Sequence, residues 1–401
     1  MNLPIHTPRG IRAVAMGQPH TRVSNQSAKQ TRKPSAWMSF MLAIMLMLTS
    51  GVYAQFAVTT NGGSGLAPTY PNLAAAITAL NGATITSPVV ITCPSGTETN
   101  PAGGYDITAI GTAINTITIQ GNGAANSIIT APNPAGTSGA LTDAIFKLRG
   151  ADWVTIQGFS MLENAANTTT SAGSNNMVEF GVALLYATAT NGAQNNTIQN
   201  NTIDLNRTYQ NTFGIYSNSA HTATSVTTSA TATGAGGGNS GLKIYGNTIT
   251  DVNQGIVVIG PTAAADMNSS LDIGGTSAPQ GNNITNWGTT NAFSNFVLLG
   301  GQTHGIFIRN VLNYNVSFNT ITSSNGGNTL GQLRGIWINT ASNTPTGTQT
   351  NTINNNNLSL RNGVAAVINV INVDATTSSS TSSISINNND IKPKYYCNRI
   401  K

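Results

Sequence analysis

The sequence predicts an all-β solenoid, a chain wound into short turns that stack on one another and pair in parallel. Three observations predict it. A phrase of an aliphatic residue, two small or polar residues, Asn, one more residue and another aliphatic recurs five times after residue 195. It reads Ile198-Gln-Asn-Asn201-Thr-Ile203, Ile244-Tyr-Gly-Asn247-Thr-Ile249, Val316-Ser-Phe-Asn319-Thr-Ile321, Ile353-Asn-Asn-Asn356-Asn-Leu358 and Ile386-Asn-Asn-Asn389-Asp-Ile391, with a weaker copy at Asn282-Asn-Ile284. A second phrase interleaves with it: Gly214-Ile-Tyr, Gly255-Ile-Val-Val, Gly305-Ile-Phe-Ile, Gly335-Ile-Trp-Ile and Gly363-Val-Ala-Ala. Repetition at intervals of roughly 30 to 45 residues is the mark of a solenoid. The third observation is composition. Only 7% of residues are charged, Asn, Thr, Ser and Gly dominate, and Ile, Val and Thr recur at ordered positions. Disorder combines few β-branched residues with high net charge; this composition suits tight turns joined by short strands.

Taken in order, residues 1–54 read as a signal peptide with an extended basic leader. Six basic side chains and no acid lead into the apolar run Met38–Leu48, followed by Val52-Tyr-Ala54-Gln55. A charged n-region, a short apolar h-region and small residues before a cleavage point are the pattern of an export signal, and the run is short for a membrane span. Cleavage after Ala54 is expected, with a secreted or cell-surface mature chain. Residues 55–84 read as a linker and N-terminal cap. Gly62–Gly65 is a loop, and Tyr70–Gly82 is a short amphipathic helix with Pro71 near its start, Leu73, Ile77 and Leu80 on one face, and Asn81-Gly82 closing it. Strand-like runs follow at Val89–Thr92, Ile117–Ile119, Ala144–Phe146 and Val154–Ile156, and from Gly181 the two phrases alternate through 391.

Strands in such succession lack the two-residue turns of hairpins. Stacking each turn on the one before pairs every strand with its counterpart and builds ladders of inward Ile and Val. One such ladder is expected at Ile203, Ile249, Ile321, Leu358 and Ile391. The phrase's Asn is expected at a left-handed bend, which Asn tolerates, and stacked Asn side chains can share hydrogen bonds along the axis. The stretches 222–241, 263–280, 340–350 and 374–383 read as inserts, either recognition loops or tolerated surface additions. Residues 392–401 form a basic, aromatic tail unlike the rest. The natural chain is expected to continue past it, or the 55–401 fragment to self-associate through its C-terminal coil.

The residues Asn201-Thr-Ile203, Asn247-Thr-Ile249 and Asn319-Thr-Ile321, each followed by a Gly-Ile strand, resemble the right-handed parallel β-helix repeats of the pectate-lyase-like superfamily, over roughly 85–391. The helix at 70–82 is similar to the N-terminal cap of such proteins. The resemblance implies the fold and says little of activity, because the superfamily spans lyases, hydrolases, adhesins and spacer modules.

The formal charge of +5 belongs to the two ends. Residues 55–391 hold seven basic and twelve acidic side chains, so no nucleic-acid partner is expected. Cys93 and Cys397 lie near opposite ends of the array, too far apart along the axis for one disulfide. Lyases of the superfamily gather carboxylates around Ca²⁺, which takes six to eight oxygens, and use a basic residue to take a proton. Here the acids are scattered, with no Asp-Asp or Asp-x-Asp. Aligning Ile203 with Ile249 puts Asp204 and Asp251 on adjacent coils near Arg207, either a catalytic site or a set of solvated turn residues. The paired carboxylates of a polygalacturonase-like hydrolase are missing. His304 aligns with Phe213, Gln254 and Arg334 in a slot of no chemical preference, and no zinc spacing, nucleophile elbow or phosphate loop is present. Among Trp153, Trp287 and Trp337, Trp287 is the leading candidate for stacking on a sugar ring; Trp337 fills a strand position.

The expectation is therefore a non-catalytic secreted or cell-surface module for adhesion or contact with a polysaccharide or surface glycan, without a cofactor. The alternative is a polysaccharide lyase or glycoside hydrolase acting on acidic polysaccharide, with Ca²⁺ required only for a lyase.

Overall fold

In the computed structural model the chain divides into Met1–Ala54 and Gln55–Lys401. The structure describes residues 56–136, 142–171, 174–222, 232–234, 236–288, 303–323, 333–339, 348–361, 368–374 and 382–392. The leader and its cleavage point, Cys397, Gly363 and the basic tail from Pro393 lie outside these residues, as does much of three of the four inserts.

The described chain winds through coils of up to three strands, and like strands of successive coils pair in parallel to build three long sheets. The first sheet runs from Val89–Thr92 in coil 1 to Ser383–Asn387 in coil 9. The second runs from Gly96–Thr99 to Asp390–Ile391, and the third from Tyr105–Ile107 to Ile368–Asp374. This is a parallel β-helix. The first three coils also contain strands at Gly96–Thr99, Tyr105–Ile107, Ser127–Thr130 and Ser160–Leu162, which the sequence pattern did not mark.

The expected ladder is present. Met161, Ile203, Ile249, Ile284, Ile321, Leu358 and Ile391 pair in one register. All but the last are buried, whereas Ile391 and Ile386 in coil 9 are 45% and 46% exposed. The Gly-Ile phrase has a packing cause. A Cβ on Gly181, Gly214, Gly255 or Gly305 would stand 2.4–2.7 Å from the Cγ2 of Ile203, Ile249, Ile284 or Ile321. Each glycine thus makes room for the second-sheet isoleucine of the following coil, and the two sequence phrases are halves of one contact. In coil 8 the slot differs from the expected Gly363-Val: Arg334 pairs with Asn369 and Ile336 with Ile371, which places Val370 beside Gly335.

The Asn residues form a continuous ladder. Asn201 Nδ2 donates to Asn247 Oδ1 at 3.1 Å, Asn247 to Asn282 at 3.0 Å, Asn282 to Asn319 at 2.9 Å, Asn319 to Asn356 at 3.0 Å and Asn356 to Asn389 at 2.9 Å. The bend itself differs from expectation. The left-handed residue is the one before the ladder Asn: Asn200, Gly246, Phe318, Asn355 and Asn388 have φ between 54° and 62°. Neighbours divide the work, one turning the chain and the next bonding between coils.

At the N-terminal end the cap helix spans Leu73–Asn81, with the Asn72 side chain accepting from Ala75 N at 2.8 Å and Leu73, Ala76, Ile77 and Leu80 buried. Two strands that the sequence reading left as linker, Val58–Thr60 and Thr69–Tyr70, add antiparallel cover to the edge of the first sheet, which blunts edge pairing. Below the helix, Glu98 occupies the coil 1 position of the isoleucine ladder. Its carboxylate receives Leu73 N and the Tyr105 hydroxyl, favourable at a helix N-terminus. The stretch 263–280 is not wholly an insert, because Asp272–Ile273 supplies the first strand of coil 6.

Candidate functional site

The structure brings Asp204, Arg207 and Asp251 together at the bend between the second and third sheets. Ile203 pairs with Ile249 and Asp204 with Thr250, so Asp251 begins the following turn. Arg207 Nε lies 3.8 Å from Asp251 Oδ1, and its Nη1 donates to the Gly288 carbonyl at 3.0 Å. Asp251 also accepts from the Asn286 amide and, at 3.3 Å, from the Thr250 hydroxyl. Burial, then the neighbouring Asp251, pushes the Asp204 carboxyl above its ordinary range.

Backbone geometry accounts for Asp251. It has φ 50°, and Asn286, which lies over it in the next coil, has φ 50° as well. A left-handed position favours Asn, Asp or Gly, so turn and stack select this residue without reference to a substrate. Ca²⁺ needs six to eight oxygens, and the bend presents two carboxylates, one already engaged with a guanidinium and an amide. No three His, Cys, Asp or Glu side chains gather as a metal site among the described residues. The residues at this bend do not fit Ca²⁺.

Trp287 is 0% exposed and belongs to the interior cluster, its Cζ2 lying 3.4 Å from where a Gly305 Cβ would be. It offers no face to a sugar, because its place in the coil is between the second-sheet turn and the third-sheet glycine. Trp153 is half-buried with φ 56°. Trp337 points outward from the third sheet, packed against Phe307 and His304 with centroids 4.5 and 5.0 Å away, and Arg334 lies 3.7 Å over its ring.

Two buried polar groups on the third sheet escaped the sequence reading. Glu179 is wholly buried; it accepts from Asp143 N at 2.9 Å, Asn175 Nδ2 at 2.7 Å and the Tyr209 hydroxyl at 2.8 Å. Burial, with the Asp143 charge beside it, drives its carboxyl well above the ordinary glutamate range. Burial lowers the nearby Lys147 ammonium, against the pull of Asp106 and Asp143. Further along, Gln254 Oε1 accepts from His304 N at 2.8 Å and lies 2.9 Å from His304 Nδ1. The first bond fixes the amide oxygen there, so Nδ1 carries the proton. Burial, then Arg334, holds the imidazole neutral well below its ordinary range. The slot said to have no chemical preference therefore contains a bonded Gln–His pair. A signal existed for both groups: Asp143 precedes Ala144 as Glu179 precedes Phe180, in paired registers, and Gln254 and His304 each stand just before a Gly-Ile strand.

No protein-family model matches the chain, and no curated protein matches it significantly. Among solved structures, the A-module of the mannuronan C-5 epimerase AlgE6 of Azotobacter vinelandii is similar at 13% identity and a TM-score of 0.22, over 78% of this chain and 94% of that one. No helix among the described residues is long and apolar enough to cross a membrane. With three parallel sheets wound around one apolar interior, the chain is a parallel β-helix protein.

Proposed function

We propose that the protein is an exported, non-catalytic β-helix scaffold that contacts polysaccharide or surface glycan. The observation that carries this reading is the engagement of Arg207 and Asp251, two of the three residues with the strongest catalytic pattern. Asp251 fills a left-handed slot that Asn286 fills in the next coil, and Arg207 donates to a backbone carbonyl and stands in a 3.8 Å ion pair with Asp251. The outward positions of the first and second sheets carry chiefly hydroxyl and amide groups, suited to hydrogen bonding with sugars. The basic leader supports export.

The raised Asp204 carboxyl, with the Asp251–Arg207 ion pair on the adjacent coil, favours a second reading, a lyase or hydrolase of acidic polysaccharide. Incubation with a panel of polyuronates, followed for reducing and unsaturated ends, decides between them. No growth of ends is expected. Growth that Asp204→Asn abolishes without lowering the melting temperature would establish the enzyme and end the scaffold reading.

A further inference from the structure

We infer that the outer face of the first sheet over coils 1 to 4 is a lane for an uncharged, extended polysaccharide lying along the coil axis, one sugar per coil; this rests on the glycan-contact reading above. Thr92, Gln120, Gln157 and Gln199 share one register on that face. Gln120 Nε2 donates to Thr92 Oγ1 at 3.1 Å, Gln157 Nε2 to Gln120 Oε1 at 2.9 Å, and Gln199 Nε2 to Gln157 Oε1 at 2.6 Å. Every carboxamide therefore points the same way.

A primary amide has two N–H donors and two acceptor lone pairs. The rank uses one donor of each glutamine and one lone pair of Gln120 and Gln157, and all three residues are half-buried. Each coil thus retains an oriented donor and acceptor, repeated at the sheet spacing of about 4.8 Å. Thr118, Thr155 and Thr197 form a hydroxyl rank beside it. An ordered lattice of this kind matches a ligand that repeats its own hydroxyls at a similar interval, as an extended polysaccharide does.

Charge selects among polymers. No ionisable side chain stands in either rank through coil 4; the first are Lys243 and Asp272 in the next two coils. A polyuronate or nucleic acid draws its affinity from cations, which this stretch lacks. A peptide strand would add to a sheet edge, and this is a face. Tyr245 follows Gln199 in the rank, its hydroxyl bonded to Asp272 Oδ2, and ends the neutral stretch.

The test is isothermal titration of the full chain with β-1,4-linked gluco-, xylo- and mannohexaose, beside oligouronates of equal length. A neutral hexaose should bind in preference to the uronates. Gln157→Ala should weaken it about tenfold or more, equivalent to roughly 1.4 kcal/mol, at an unchanged melting temperature. Gln157→Glu, which keeps the shape but loses the donor to Gln120, should weaken it as well. Thr322→Ala, on the outer face of the second sheet, should not. Binding untouched by both Gln157 variants, or preference for the uronates, would overturn the lane while leaving a glycan scaffold. Failure to bind any member overturns the lane, and cleavage of a member overturns the scaffold reading itself.

Discussion

Removing the Asn247 carboxamide is the sharpest test of what joins the coils. Its Oδ1 accepts from Asn201 N and Asn201 Nδ2, both at 3.1 Å, and its Nδ2 donates to the Ile198 carbonyl at 2.9 Å and to Asn282 Oδ1 at 3.0 Å. In Asn247→Ala, Asn282 Oδ1 still receives Asn247 N at 3.0 Å, and Asn201 Nδ2 still donates to Ile156 O at 3.0 Å. The Asn201 backbone N–H, however, is left without its partner in a buried setting. An orphaned buried donor costs about 1–3 kcal/mol and each of the three further lost bonds about 0.5–1.5, giving a total of roughly 2.5–7.5 kcal/mol. Asn247→Asp should cost more, because a carboxylate oxygen would face the Ile198 carbonyl and Asn282 Oδ1 in place of a donor. Asn389→Ala is the control. Its rung is half-buried, so water replaces the lost partners and the cost should stay near 1 kcal/mol or below. Urea unfolding followed by circular dichroism reads the totals. Amide exchange at Asn201 and Phe159 reads local opening, which matters in a repeat array where two-state behaviour can fail. A cost for Asn247→Ala equal to that of Asn389→Ala would refute the ladder as a source of stability.

Three further perturbations test the packing and the buried charges. Gly214→Ala should destabilise by about 1–3 kcal/mol through overpacking, since its Cβ would stand 2.4 Å from Ile249 Cγ2. Adding Ile249→Ala should recover part of that cost in a double-mutant cycle, and strictly additive losses would refute the contact; the Gly255 carbonyl at 2.7 Å limits the recovery. Ile249→Asp buries an unpaired charge in the ladder and should severely lower the melting temperature, whereas a wild-type value would refute the register. For pH, the folded Glu179 carboxyl titrates well above the unfolded one. The unfolded chain thus loses its proton first as pH rises above the ordinary glutamate range, and stability falls from there toward neutrality. His304 acts oppositely: its folded value is depressed, so stability is lost as pH falls below the ordinary histidine range. Melting curves across pH 4 to 8 should show the first slope shrink in Glu179→Gln and the second in His304→Asn, and unchanged slopes would falsify the assignment.

The inward half of the molecule was legible because stacking imposes a repeated demand. From coil 4 onward an aliphatic residue at the Ile249 position, a glycine facing it in most coils and an amide between coils recur, and such residues can be recognised without a structure. Coil 8 shows the limit: Val370 stands beside Gly335, where the repeated phrase predicts Gly363. The same repetition explains why Asp204 and Asp251 could be placed together, since their neighbours Ile203 and Ile249 belong to the ladder.

The buried pairs could be aligned from sequence but not recognised as bonded partners, for a related reason. Glu179 bonds a residue 36 positions away and His304 one 50 positions away, and coil length is irregular. Ile198 and Ile244 are 46 residues apart, whereas Ile244 and Ile273 are 29 apart. Such partners align only through the strands that follow them, as His304 and Gln254 do through their Gly-Ile phrases, and the alignment does not reveal the hydrogen bond. Outward positions answer to neither demand. They touch no core, and nothing in winding the chain requires them to repeat. A run of three glutamines in one outward register, with threonines in the adjacent one through the same coils, therefore needs a cause other than folding the interior. Inter-coil amide bonding is one such cause: the glutamines link coils 1 to 4, and the Asn ladder takes over from coil 4 onward. Over coils 2 to 4 the glutamine rank adds uncharged donors on an accessible face. A recurring ligand contact explains that arrangement, and the Gln157 variants test it at the centre of the rank.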